Sequence, residues 1–372
     1  MKIATLLFSF FLFLPPWASA QADTASSTAL PPLDVKIGQL LNVGFRGLAV
    51  DESSHIVRDL RKYHLGSVVL FDYDVPSQSP VRNIQSAAQL KQLVSDLGRH
   101  ATKPLLVAVD QEGGRVARLK PRFGFPHSVS ARYLGTVNQR DTTYAYASLT
   151  AQTLSELGIH INLAPVVDLN LNPENPVIGS IERSFSPDPL LVTRHARIFI
   201  EAHHEQGVFT TLKHFPGHGS SRDDSHIGLV DVTDYWSEKE LIPYRNLIES
   251  GHTDIIMTAH IVNENWDNRY PATLSGNVLT HMLRRELGFE GVVMSDDMQM
   301  DAIRSHFGLE KAIELAILAG VDILSFANNS VYDPDIIPKA HSIVKELVES
   351  GRVSESRINE SYLRIMDLKN KL

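Results

Sequence analysis

Short runs of apolar, mostly β-branched residues alternate along this chain with stretches in which apolar side chains return every three or four positions. The strand-like runs are Ser67 to Phe71, Leu105 to Asp110, Ile161 to Val167, Phe209 to Lys213, Asp254 to His260, Gly291 to Asp296 and Val321 to Phe326, with a weaker first run near Leu41 to Gly44. Most are nearly continuous in apolar residues, the pattern of a parallel strand covered on both faces. Between them, Ile84, Ala87, Leu90, Val94 and Leu97 form one helical face ahead of Gly98, and Leu154 and Leu157 close another before Gly158. Ser237 and Glu240 are spaced as a capping box, and Gly207, Gly251, Gly288 and Gly320 each follow an apolar-periodic stretch as a helix stop would. A last helix, Ser354 to Leu372, places Ile358, Tyr362, Ile365 and Leu372 on one side.

About eight strand-then-helix units predict an α/β fold of the (β/α)8 TIM-type barrel in a single domain. The competing architecture is a doubly wound open sheet, whose Gly-rich phosphate turn with an acidic residue some 20 positions on is not found. A chain of 372 residues exceeds an average domain, but barrels routinely run to about 250 residues or more as one unit.

The amino terminus reads differently. Lys2 precedes an apolar run from Ile3 to Leu14, then Pro15-Pro16 and the small residues Ala18-Ser19-Ala20. That order predicts a signal peptide over residues 1–20, a polar leader over 21–33 and a catalytic barrel over 34–372. The run is shorter than the roughly 20 residues a bilayer core needs, so no stable membrane anchor is expected, and the chain is read as exported, to the periplasm or the medium. There are no cysteines, which removes both a disulfide framework and a lipid-modified N-terminal cysteine. Thirty-five basic against 43 acidic residues, without a basic block, argue against a nucleic acid partner. Sixteen histidines raise the question of metal, but Pro216-Gly217 separates His214 from His218, so no metal and no cofactor are expected.

In a parallel barrel the reactive groups lie at the C-terminal ends of the strands. The third predicted strand ends at Asp110, the fifth in Lys213-His214, the sixth at His260 and the seventh in Ser295-Asp296-Asp297. Each alone has a plain explanation: Asp110, Asp296 or Asp297 as a helix cap, Lys213 as a surface ion pair. Together they gather charged and imidazole groups at one pole, at a desolvation cost that mutual pairing or a polar ligand offsets.

The segments Lys36-Ile37-Gly38-Gln39-Leu40, Asp110-Gln111-Glu112-Gly113-Gly114-Arg115-Val116, Ala164-Pro165-Val166-Val167-Asp168, Lys213-His214-Phe215-Pro216-Gly217-His218-Gly219 with Asp224-Ser225-His226, and Ser295-Asp296-Asp297-Met298 resemble glycoside hydrolase family 3, more narrowly its single-domain β-N-acetylglucosaminidases. The resemblance implies a retaining exo-β-N-acetylglucosaminidase acting on peptidoglycan fragments or chitin-type oligosaccharides. It places the nucleophile at Asp296 and the acid/base at His226, held by Asp224. It also assigns Asp110, Arg118, Arg183, Lys213 and His214 to the sugar, groups suited to charge-assisted hydrogen bonds with hydroxyls. Around Arg183, Ser180-Ile181 stand between Ile178-Gly179 and Glu182-Arg183-Ser184-Phe185, where the family often has a tighter join. Asp297 reads as a cap or a supporting group, Gly217 and Gly219 as residues that let the loop turn and move, and Met294, Met298 and Met300 as core or pocket wall. Trp236 and Trp266 remain as candidate stacking platforms. A phosphorylase or β-glucosidase on the same barrel, and a non-catalytic glycan-binding protein, are the competing readings.

Overall fold

The computed structural model describes residues 30–224 and 227–372, and the predicted signal peptide lies outside the described residues. Pro32–Leu372 forms one compact unit. The strands of its central sheet are β1 (Leu41–Gly44), β2 (Ser67–Leu70), β3 (Leu106–Val109), β4 (Ile161–Asn162), β5 (Phe209–Phe215), β6 (Ile255–Thr258), β7 (Val292–Met294) and β8 (Leu324–Phe326). Each lies parallel to its neighbour in chain order, and β8 returns to β1 through Leu41 opposite Leu324. A parallel bridge from Met294 to Ile323, with the Ser295 amide donating to the Ile323 carbonyl at 2.9 Å, joins β7 to the approach to β8 and closes the ring. The sequence expectation of a barrel is therefore met.

The strands form where β-branched residues are buried on both faces, inward against the barrel core and outward against the helices. The helix after β2, Ala87–His100, buries Leu90, Leu93, Val94 and Leu97 and is capped by the Ser86 hydroxyl. Ile84 is buried but precedes the cap, and Gly98 lies within the helix instead of ending it; a Cβ at Gly98 would meet nothing within 4 Å, so no close neighbour demands a glycine there. The other predicted stops hold: Gly158, Gly207, Gly251, Gly288 and Gly320 all have positive φ.

Three further boundaries differ from expectation. The regular β4 ladder ends at Asn162; Leu163 still donates to the Val109 carbonyl and Ala164 still accepts from the Thr211 amide, Pro165 has no N–H to donate, and a bridge forms again at Val166 opposite Lys213. Ser237 accepts from the Lys239 amide at 3.4 Å, but Glu240 does not complete a capping box; its carboxylate turns inward to Gly219 and Ser220. The final helix is Glu355–Lys369, with Ile358, Tyr362 and Ile365 buried and Leu372 exposed beyond its end. In place of Leu372, Lys369 goes under the barrel, where its ammonium donates to Gln39 Oε1, the Gly66 carbonyl and the Pro104 carbonyl at 2.6–2.8 Å. No helix among the described residues is long and apolar enough to cross a membrane.

Candidate active site

The ends of β3, β4 and β5 bring one continuous chain of charges to the mouth of the barrel. Asp110 follows β3 directly; its carboxylate accepts from Lys213 Nζ at 2.9 Å and Arg118 Nη2 at 3.2 Å. Lys213, within β5 and buried, also reaches Glu112 Oε1 at 2.7 Å. Glu112 receives both Arg183 Nε and Nη2, at 2.8 and 2.7 Å, the fork geometry that fixes a guanidinium in a plane. Arg183 Nη2 lies 3.2 Å from His214 Nε2, and His214 Nδ1 lies 2.7 Å from Asp168, which lies past β4 and the Val166 bridge. Asp110, Arg118, Arg183, Lys213 and His214 are thus brought together in one connected group through Glu112, the wide join before Arg183 included.

Sequence reasoning passes over Glu112 and Asp168, although both lie in the segments that carry the family resemblance. Their signal is positional: an acid within a few residues of a barrel strand's C-terminal end. Asp72, immediately after Phe71, carries the same signal and is likewise passed over; it is buried and accepts from Lys120 Nζ at 2.6 Å and Arg122 Nη2 at 3.2 Å.

Burial alone would raise these carboxyls, but cations outweigh it. Lys213 and Arg118 hold Asp110 well below the usual carboxylate range. Arg183 and Lys213 lower Glu112, and His214 lowers Asp168. Burial would lower Arg183 in turn, and Glu112 overcomes it and raises the guanidinium above its ordinary value. The three carboxylates of the wall are therefore held in their ionised form by the groups they contact.

The turn after β7 has a different construction. Asp296 is half-buried, and its Oδ1 accepts from the Asp297 amide at 2.8 Å. Asp297 is occupied with backbone: its Oδ1 accepts from the amides of Gln299 and Ala327, both at 3.0 Å. It caps this turn and ties it to the end of β8. His260, buried just past β6, lies 2.9 Å from the Asp297 carbonyl through Nε2 and 2.8 Å from Thr273 Oγ1 through Nδ1. Met294, Met298 and Met300 are buried.

The loop after β5 faces that turn. His218 is pushed down to about 4 by burial and by His214, while Asp168 and Asp296 pull it the other way, so the Asp296 carboxylate lies within electrostatic reach of the loop. His218 Nδ1 is 2.6 Å from Ser221 Oγ, and its amide donates to Asp168 at 2.8 Å. Asp224 is partly exposed, and its carbonyl accepts from the Ile227 amide at 3.0 Å; His226 lies outside the described residues. Gly217 and Gly219 have packing reasons that the sequence does not disclose. Gly217 has φ +119°, and a Cβ there would fall 2.5 Å from Glu240 Cβ; one at Gly219 would fall 1.8 Å from the Leu169 carbonyl oxygen. Trp236 and Trp266 meet edge to face at 4.6 Å, and Trp236 Nε1 donates to the Pro216 carbonyl at 3.2 Å, so both brace the loop base.

Among the described residues no group of three or more histidine and acidic side chains is arranged to hold a metal ion. Chemically, a half-buried carboxylate at the same barrel pole as a wall of hydrogen-bond donors and acceptors suits a hydroxyl-rich ligand.

Residues 32–368 match the family model described as glycosyl hydrolase family 3 N terminal domain. "Beta-hexosaminidase A" of Pseudoalteromonas piscicida is 33% identical over 336 residues, which is 84% of this chain and 54% of that protein. A "Beta-hexosaminidase" of Tolumonas auensis is 37% identical over 273 residues, 73% of this chain and 78% of its own length. The solved structure of a glycoside hydrolase family 3 β-N-acetylglucosaminidase from Paenibacillus sp. str. FPU-7 superposes with a TM-score of 0.84 at 34% identity, over 92% of this chain and 63% of that one. The chain thus spans about half the length of the first relative and under two thirds of the structural neighbour.

Proposed function

The chain belongs to glycoside hydrolase family 3, and from that premise we propose that it removes terminal β-linked N-acetylglucosamine from glycans with retention of configuration. Relatives by sequence and by structure carry hexosaminidase or N-acetylglucosaminidase names, and they match between 73% and 92% of this chain. The observation that carries the reading is the convergence of strand ends: a wall built by Asp110, Arg118, Arg183, Lys213 and His214 at the pole where Asp296 follows β7.

In this reading an Asp296 oxygen attacks the anomeric carbon while the glycosidic oxygen leaves with a proton from His226. Water then attacks the glycosyl ester, His226 takes the water's proton and Asp296 is released. Asp224 orients the imidazole and raises its basicity. Asp297 is the supporting acid of the pair, since its carboxylate is spent on two backbone amides. Asp110, Lys213 and Arg118 present alternating acceptors and donors to the sugar hydroxyls, with Arg183 and His214 beside them.

The substrate is proposed to be a peptidoglycan fragment or chitin-type oligosaccharide, met after export under a signal peptide over residues 1–20. The decisive experiment follows an aryl β-N-acetylglucosaminide with Asp296→Ala. Activity should fall to a trace, and azide should restore turnover as the α-glycosyl azide, because a small anion then attacks from the vacated face. Retained activity would remove Asp296 from the role. Free N-acetylglucosamine as product with and without added phosphate supports hydrolysis; a sugar phosphate would make the enzyme a phosphorylase.

A further inference from the structure

The loop that leaves β5 is fastened at its base from two sides. On one side the segment after β4 holds it: Asn175 Nδ2 donates to the His218 carbonyl at 2.7 Å, Asn172 Nδ2 to the Ser221 carbonyl at 2.8 Å, and Asp168 accepts from the His218 amide at 2.8 Å. On the other side Trp236 holds the Pro216 carbonyl, and Glu240 holds the residues that follow. Glu240, 1% exposed, accepts from the Gly219 amide at 2.8 Å through Oε2 and from the Ser220 hydroxyl at 2.6 Å through Oε1. Gly217 is pressed against the same side chain closely enough to leave no room for a methyl group. Past Ser221 the chain turns outward, with Arg222 and Asp223 exposed.

We propose that Glu240 is a positioning residue for catalysis: by clamping Gly219 and Ser220 it fixes the point from which the Asp224–His226 arm departs, and so the approach of the proton donor to the leaving oxygen. The inference rests on the functional reading above. The hydrogen bonds of Glu240 go to the loop base, and Asp168 and Tyr244 lie within electrostatic reach of it. Its carboxyl is pushed up to about 8 by burial, against the bonds from Ser220 and Gly219 and with Asp168 adding to the rise. Glutamine is therefore a close mimic of the residue in its neutral form, with an oxygen for the Gly219 amide and an NH2 group for Ser220 Oγ. Alanine removes both contacts and leaves a void under Gly217.

A misplaced proton donor injures only those substrates that need the proton. Glu240→Ala should lower kcat/KM for an N-acetylglucosaminyl disaccharide by about 30-fold, within the usual span for general acid catalysis, and for a dinitrophenyl N-acetylglucosaminide by no more than about 2-fold. Glu240→Gln should restore the disaccharide rate to within about 3-fold of the parent, and Ser220→Ala, a gentler lesion, should show the same selective loss at about 5-fold. A purely structural residue would depress both substrates alike, and equal losses across the two in Glu240→Ala and Ser220→Ala overturn the proposal. If Glu240→Ala does not fold, Ser220→Ala with Glu240→Gln decides the matter on the same criterion. His226→Ala runs in parallel: selective loss there without it in the clamp variants overturns the clamp alone, whereas equal loss in His226→Ala overturns the acid/base reading and the clamp with it.

Discussion

Glu240→Gln also has a thermodynamic signature that depends only on burial of an acid. The Glu240 carboxyl is raised in the folded protein to about 8 from 4.5, chiefly by burial. A raised acid contributes its full stability below the unfolded value and loses it as pH climbs to the folded value, because the unfolded chain ionises first. Between about pH 4.5 and 8 each pH unit should therefore cost about 1.4 kcal/mol, which makes about 1 kcal/mol by pH 5 and about 4 kcal/mol by pH 8. Glutamine does not titrate, so the variant escapes this loss while sharing every other titrating group. The stability of Glu240→Gln relative to the parent should rise by about 3 kcal/mol from pH 5 to pH 8, whatever its offset at a single pH. Equilibrium urea unfolding of the two proteins, followed by tryptophan fluorescence at half-unit pH steps, reads this difference directly. A protonated-carboxyl infrared band present in the parent at pH 7 and absent from the variant would identify the group. A difference that stays flat from pH 5 to pH 8 refutes the reasoning, since it would mean that the buried carboxyl titrates as it does in water.

Glu112→Gln should leave Arg183 and Lys213 facing a neutral amide and cost about 2–4 kcal/mol in kcat/KM, mostly as a raised KM, in steady-state assays with an aryl N-acetylglucosaminide. His260→Phe removes the partner of the Asp297 carbonyl; kcat should fall about 10-fold or more with KM little changed, a split that fits a displaced Asp296 and would not arise from a binding defect. Lys369→Met strands three buried acceptors at the N-terminal ends of β1, β2 and β3 and should lower stability by about 3 kcal/mol in urea unfolding while kcat holds, because the site lies at the other pole.

How much of this is legible depends on the length scale of the signal. The eight strands are readable because burial on both faces leaves unbroken β-branched runs, as in Val68-Val69-Leu70 and Leu106 to Val109. β4 is drawn too long because a composition such as Ile161 to Val167 does not report a missing donor at Pro165. The residues of the binding wall are found singly, by motif and strand end, but their order is hidden: that Glu112 joins Lys213 to Arg183, or that Asp168 holds His214, follows from strand register, which brings positions about 50 to 100 apart in sequence into contact. Gly217 and Gly219 mark the sharpest failure. Sequence gives glycine a reputation for freedom, and only the neighbours reveal that here it is needed for close approach.

The division of labour between Asp296 and Asp297 shows why such pairs resist reading from sequence. Two adjacent carboxylates at a strand end repel, and a turn that left both to the solvent would give neither a defined place. Here the residue after β8, Ala327, and the turn itself, through Gln299 two residues on, supply two amide donors to Asp297, and His260 just past β6 holds its carbonyl. Two of these three partners, Ala327 and His260, come from other strand ends, so the assignment combines a local turn with closure of the barrel between β7 and β8. Asp296 receives the Asp297 amide, which sets its orientation while leaving it half-buried and within electrostatic reach of His218 on the β5 loop. An exchange of the two residues' roles would require the Ala327 amide to find another acceptor in a buried site, and at about 1–3 kcal/mol for a lost partner that is enough to keep the order fixed.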